Sequence, residues 1–182
     1  QGRAFQLDWV LELVREKGIY VQLCLNNHGQ VSTGVNPEWN NSPYNTANGG
    51  PCTNTWEFFT NTDARRYLKN RMRYIIARWG YATHILSWEL FNEVDWTDDF
   101  ENRRTEVMLW HEDVAKHIKQ FDVYHHLVTT SYAREMYEPG IWNNPIFDYA
   151  QVHDYTNSSD IQSLHVQSAQ SYLADYEKPM LI

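Results

Sequence analysis

Apolar positions in this chain switch repeatedly between a helical and an extended period. Over 5–17, Val10, Leu11, Leu13 and Val14 recur at helical spacing, and Gly18 is a plausible stop. Residues 19–25 form a short run rich in β-branched and aromatic side chains, which reads as a strand. The polar stretch Asn26-Asn27-His28-Gly29-Gln30 breaks it. A segment dense in Asn, Pro, Gly and Thr follows over 31–61 and reads as a long loop; loops of that length are usually functional or disordered, and Trp39, Tyr44 and Trp56 favour function. A helix is predicted over 63–79, with Asn61 or Thr62 as its cap and Gly80 as its stop. Then come a buried strand over 85–93, a helix over 101–121 and a strand over 126–132. A loop carrying Pro139, Gly140 and Trp142 leads to a strand over 147–155, a helix over 160–177 and the start of a strand over 179–182. Strands that alternate with helices argue an α/β fold with parallel strands. No linker-like composition shift interrupts 1–182, so a single domain is expected.

Parallel β/α folds gather their chemistry at the C-terminal ends of strands. Three predicted strands end on polar, reactive groups: Asn26-Asn27-His28, Asn92-Glu93 and His153-Asp154-Tyr155. Asn92 and Glu93 close a strand that is otherwise apolar and aromatic. Glu89 shares a strand face with Glu93, but four residues of extended chain separate the two by ~13 Å. Two carboxylates that share one acid/base reaction stand ~5–9.5 Å apart, so Glu89 reads as a structural group. Asp95, Asp98 and Asp99 follow closely, and their spacing leaves a second carboxylate open.

Composition narrows the chemistry. A net charge of −8 argues against nucleic acid, because phosphate binding needs clustered Lys and Arg. The basic run Arg65, Arg66, Lys69, Arg71, Arg73 reads as a solvated helix face. No apolar run reaches the ~20 residues of a membrane span, and no signal peptide pattern is visible in these residues. Two cysteines do not make a disulfide framework. Cys24 falls inside a predicted strand as a buried free thiol, and Cys52 in a polar loop. His111-Glu112 with His117 lacks the spacing of a zinc helix, since Ala115 occupies the needed position, and no glycine-rich phosphate loop is present. No cofactor is expected. Eight Trp and twelve Tyr supply aromatic faces that stack well on sugars, though such rings also fill cores.

Trp88-Glu89-Leu90-Phe91-Asn92-Glu93 resembles the fourth-strand motif of the retaining glycoside hydrolase clan that includes family 5 cellulases and mannanases. Lys17-Gly18-Ile19-Tyr20-Val21 looks like that family's entry into strand three, and His153-Asp154-Tyr155 like its sixth-strand ending. Lys178-Pro179-Met180-Leu181-Ile182 looks like its seventh strand, after which the family places a nucleophilic Glu. One departure is Val94, where the family commonly has Pro. The resemblance implies a partial (β/α)8 TIM barrel, from about helix two to strand seven, acting on a β-linked oligo- or polysaccharide. It implies Glu93 as general acid/base and Asn92 as ligand of the sugar 2-hydroxyl. Tyr155 and His153 would sit beside nucleophile and sugar, with His28 and the adjoining Asn27 in the substrate-binding group. Trp96 and Trp142 are candidate stacking platforms, and Trp39 and Trp56 would shape the cleft. A complete barrel needs eight strands and ~250 residues, so these five strands are expected to be inactive alone and to self-associate through open strand edges. A non-catalytic carbohydrate-binding protein on a TIM-barrel scaffold is the alternative. A polymeric substrate implies a secreted or periplasmic whole protein.

Overall fold

The computed structural model describes residues 2–136 and 138–182. Helix α1 (Gly2–Lys17) ends where expected: Gly18 takes a left-handed φ of +64°, and its N–H donates to the Arg15 carbonyl. Of the described α1 residues only Leu11 is buried. The helix is tied down by Asp8, which accepts from Arg78 Nε at 3.1 Å and Trp79 Nε1 at 2.7 Å.

Strand β1 (Val21–Cys24) follows, then a stretch that departs from expectation. Segment 31–61 is not an open loop. It winds through 3-10 turns into the short helix α2 (Glu57–Thr60), and it places Trp39, Tyr44, Cys52, Phe58 and Phe59 in the core. Phe58 and Phe59 pack against Phe91 and Trp110, which come from more than thirty residues further along the chain. Trp39 is therefore a core side chain rather than a cleft wall, and Trp56 lies under the Arg103 guanidinium at 4.2 Å.

Helix α3 (Thr62–Trp79) is capped by Asn61, whose Oδ1 accepts from the N–H groups of Asp63 and Ala64 at 2.9 and 3.1 Å. Its stripe Ala64, Leu68, Met72, Ile75, Ile76 and Trp79 is buried. Helix α4 (Phe100–Phe121) packs beside it through Val107, Trp110, His111, Val114, Ala115 and Ile118. Both show the spacing expected of one buried helix face.

Strand β2 (Ile85–Glu89) lies between β1 and β3 (Leu127–Thr129), parallel to both, with Leu23, Trp88 and Val128 in one register row. The short helix α5 (Pro139–Trp142) precedes β4 (Ala150–Gln151), and α6 (Ile161–Tyr176) connects β4 to the parallel β5 (Met180–Leu181). A parallel bridge between Tyr132 and Val152, with Asp148 N donating to Val128 O at 2.9 Å, joins β3 to β4. The described strands thus run parallel in sequence order, and the α/β class holds. The strands are shorter than the apolar pattern suggested. The expected strand over 147–155 keeps its ladder only at Ala150 and Gln151.

Alternation along the strands sorts the side chains into two sets. Trp88 turns to the end of α4 and donates to Asp122 Oδ2 at 2.8 Å. Ser87 and Glu89 turn the other way and join Gln22, Tyr149 and Gln151 in one hydrogen-bonded polar layer. Two expectations fail here. Cys24 is exposed, and the buried free thiol is Cys52. Trp142 is fully buried, edge-on to Tyr132 and Tyr172 at ring separations of 5.7 and 6.3 Å, so its faces serve the core and cannot carry a sugar.

Candidate active site

Parallel strands in sequence order bring their C-terminal ends to one rim. A bridge between Asn27 and Asn92 extends the β1–β2 pairing past the strands, and the Tyr132–Val152 bridge does the same for β3 and β4. Asn26 reinforces the first of these. Its Nδ2 donates to Leu90 O at 2.8 Å, and its Oδ1 accepts from Arg71 Nη1 at 3.1 Å.

Glu93 stands where β2 leaves the ladder. Its backbone is left-handed, φ 54° and ψ 52°, a region that costs a non-glycine residue about 1–2 kcal/mol. Ser131 helps hold it there, accepting the Glu93 N–H on Oγ at 3.0 Å and donating to Glu89 Oε1 at 2.7 Å. The turn swings the Glu93 carboxylate into a buried position, 4% exposed, among His153, Tyr155 and His28. His153 Nδ1 is 2.7 Å from Oε1, and the Tyr155 hydroxyl donates to the same oxygen. His28 Nδ1 lies 3.3 Å from Oε2, off the line of a good hydrogen bond, and this buried nitrogen has no other protein partner. The hydrogen bond to Glu93, then burial, then the carboxylate charge push the Tyr155 hydroxyl up to about 12, which keeps it a donor.

The remaining expected residues divide. Asn92 is part-buried, with its amide 3.5 Å from both Glu89 Oε1 and Ser131 Oγ, so it reaches this cluster only weakly and keeps donor capacity. Asn27 uses its side-chain oxygen to cap the turn over His28–Val31, accepting from Gln30 N at 3.2 Å, and is committed to the backbone. Trp96 stacks on Tyr155, with centroids 5.7 Å apart and planes 21° apart, and meets His28 edge-on at 5.4 Å. Trp96, Arg134, Glu135, His153, Asp154 and Tyr155 line a cleft of about 480 Å³. A comparable groove on α3, lined by Tyr74, Tyr81 and Tyr124, contains no carboxylate.

The neighbouring acids are occupied. Glu89 accepts from Gln22, Ser131 and Asn92. Asp95 accepts from Ala133 N at 2.7 Å and Arg134 Nε at 3.1 Å; burial nonetheless leaves its carboxyl above its ordinary value. Asp98 holds Thr33 and Ser32, Asp99 holds Asn102 and Arg103, and Asp154 turns to His165. Of these carboxylates, Glu93 alone is met by His153 and Tyr155, both of which line the cleft. No group of three His, Cys, Asp or Glu side chains among the described residues could hold a metal ion.

Sequence reading missed Ser131, Gln22 and Gln151. Period-two alternation places Gln151 on the face of His153, a signal that was available. Ser131 and Gln22 had none, since their roles depend on strand pairing across 38 and 67 residues.

No family model matches the chain. It is 29% identical over 133 residues to mannan endo-1,4-beta-mannosidase 3 of Oryza sativa subsp. japonica, covering 68% of this chain and 27% of that protein. It is 25% identical over an alignment of 217 residues to mannan endo-1,4-beta-mannosidase 7 of Arabidopsis thaliana, covering 97% of this chain and 48% of that protein. The chain spans about a quarter to a half of the length of the curated relatives it matches. Among solved structures it superposes on the endo-beta-1,4-mannanase from Thermotoga petrophila with a TM-score of 0.74 at 15% identity, over 98% of this chain and 44% of that one. At that identity the likeness is one of fold.

Proposed function

We propose that the whole protein is a retaining β-glycoside hydrolase that cleaves β-1,4-linked mannan, and that residues 1–182 form five strands of a (β/α)8 catalytic barrel. The observation that carries this reading is Glu93: a buried carboxyl just past a strand end, turned by a left-handed backbone onto His153 and Tyr155, which line the adjoining cleft. The named relatives supply the sugar. Glu93 protonates the departing glycosidic oxygen and later takes a proton from the attacking water. Asn92 reaches the 2-hydroxyl, a contact that tightens as the ring flattens toward the transition state. Trp96 and Tyr155 form the stacking wall, and His28 closes the opposite side of Glu93. The nucleophile is a glutamate following β5, ~5–5.5 Å from Glu93 as retention requires. The same strands make the edges of β1 and β5 pairing surfaces for the rest of the barrel. A polymer of this size places the enzyme outside the cell or in the periplasm.

The test uses the full-length protein with Glu93→Gln. Loss of the proton donor should lower kcat/KM on β-1,4-mannan by about 10²–10⁴-fold. The same variant should still release an activated aryl leaving group, which departs without a proton. Undiminished mannan hydrolysis by the variant would refute the assignment of Glu93. Mannan binding without turnover by the wild type would make this a sugar-binding protein.

A further inference from the structure

The polar layer beneath Glu93 has a direction, and that direction reaches the active-site histidine. It starts at Glu89, whose Oε2 accepts from Gln22 Nε2 at 2.8 Å. Gln22 is fixed from its other end as well, since the Tyr149 hydroxyl donates to its Oε1. The same Nε2 donates to Gln151 Oε1 at 2.8 Å, which leaves Gln151 only its Nε2 to present to the next group. That group is His153 Nε2, 3.2 Å away. An N–H meeting a ring nitrogen makes a hydrogen bond only if the ring nitrogen is bare. The His153 proton therefore sits on Nδ1, the atom 2.7 Å from Glu93 Oε1.

We infer that Gln151 is a positioning residue that holds His153 as the neutral Nδ1–H tautomer, so that Glu93 meets a neutral donor rather than an imidazolium. A second proton on Nε2 would set two N–H donors face to face, which disfavours the cation. The arrangement recurs on the other side of Glu93: Asn36 Nδ2 lies 3.0 Å from His28 Nε2, with His28 Nδ1 turned toward Oε2. Function gives the reason, and this inference rests on reading Glu93 as the general acid/base. A cationic ring at 2.7 Å would pin Glu93 as a carboxylate, whereas a neutral ring leaves it free to carry the proton it must deliver. The charged and titratable groups facing His153 are few. Glu93 and Tyr155 are its immediate neighbours, His28 meets Glu93 at its other oxygen, Glu135 and Arg134 line the same cleft, Asp95 paired with Arg134 lies behind Tyr155, and Glu89 ends the amide chain. Asp154, the next residue along the chain, turns away to His165.

The test reads ring nitrogens directly, in full-length protein labelled with ¹⁵N at histidine, with His153 resonances identified by their loss in His153→Asn. Long-range ¹H–¹⁵N correlation near neutral pH should show His153 Nδ1 protonated and Nε2 bare. Gln151→Glu replaces the donor with a carboxylate that accepts from Nε2, so the doubly protonated ring should persist to a pH about 1–3 units higher than in the wild type. Gln22→Leu removes the anchor and lets the Gln151 amide turn its oxygen to the ring, moving the titration in the same direction. A wild-type His153 carrying its proton on Nε2, or a titration unmoved in both variants, would overturn the inference. The readout needs no turnover, so it stands or falls separately from mannan hydrolysis.

Discussion

His111 gives the sharpest physical test of this fold. It sits on α4 with no exposed surface, its Nδ1 2.8 Å from Val107 O and its Nε2 2.9 Å from Thr130 Oγ1. Burial penalises the charged ring and drives its pKa from 6.5 down to about 4, with the Val107 carbonyl opposing. The folded chain therefore keeps the ring neutral in a range where the unfolded chain binds a proton. Stability is complete above about pH 6.5 and falls as the pH drops toward 4, because there the unfolded state holds more protons. A fall from 6.5 to about 4, at about 1.36 kcal/mol per unit, amounts to roughly 3 kcal/mol in total, of which about 2 kcal/mol is lost by pH 5. Against a typical stability of ~5–15 kcal/mol, that is readily measured. The assay is urea unfolding at pH 7, 6, 5 and 4.5 for the wild type and His111→Gln, with m-values checked for constancy. Other titrating groups affect both proteins, so the gap between the two curves isolates His111. The wild type should lose about 2 kcal/mol more than the variant between pH 7 and pH 5. Parallel curves would refute the claim that His111 is held neutral by burial.

Three further outcomes follow from the same contacts. Burial raises the Asp122 carboxyl, but donors from Trp88 and His126 outweigh it and leave the group below its ordinary value. Its stabilising effect should hold above about pH 4 and fade as the pH falls further, and Asp122→Ala, which strands the buried Trp88 indole N–H, should cost about 3 kcal/mol in denaturant unfolding at pH 7. Ser131→Ala leaves the Glu93 N–H and Glu89 Oε1 without their shared hydroxyl. About 1–3 kcal/mol should be lost in urea unfolding, and kcat on mannan should fall in the full-length protein; an unchanged kcat would show that Glu93 keeps its left-handed turn without Ser131. Trp142→Ala opens a cavity in the core and should cost about 3–5 kcal/mol with KM for mannan unaltered. A raised KM with unaltered stability would return Trp142 to the cleft.

Much of the architecture was legible along the chain. Gly18 and Asn61 mark a helix end and a helix start because the left-handed turn and the capped N–H groups are settled within four residues. The α/β alternation was legible for the same reason, as was the placement of Asn92 and Glu93 at a strand end. The pattern failed where burial depends on distant partners. Polar composition over 31–61 concealed Phe58 and Phe59, which bury themselves against Phe91 and Trp110. Trp142 looked like a loop aromatic until Tyr132 and Tyr172 closed around it.

The sequence by itself determined the periods, the helix boundaries and the candidate acid, because each follows from side-chain spacing and backbone preferences over a few residues. Only the tertiary structure decided how that acid is held. The left-handed backbone at Glu93 is braced by Ser131, 38 residues away, and the direction of the hydrogen-bond chain to His153 follows from Gln22 reaching Gln151 across 129 residues. Strand register sets those distances, and the pairing of parallel strands that fixes it is not encoded in any local stretch of the chain.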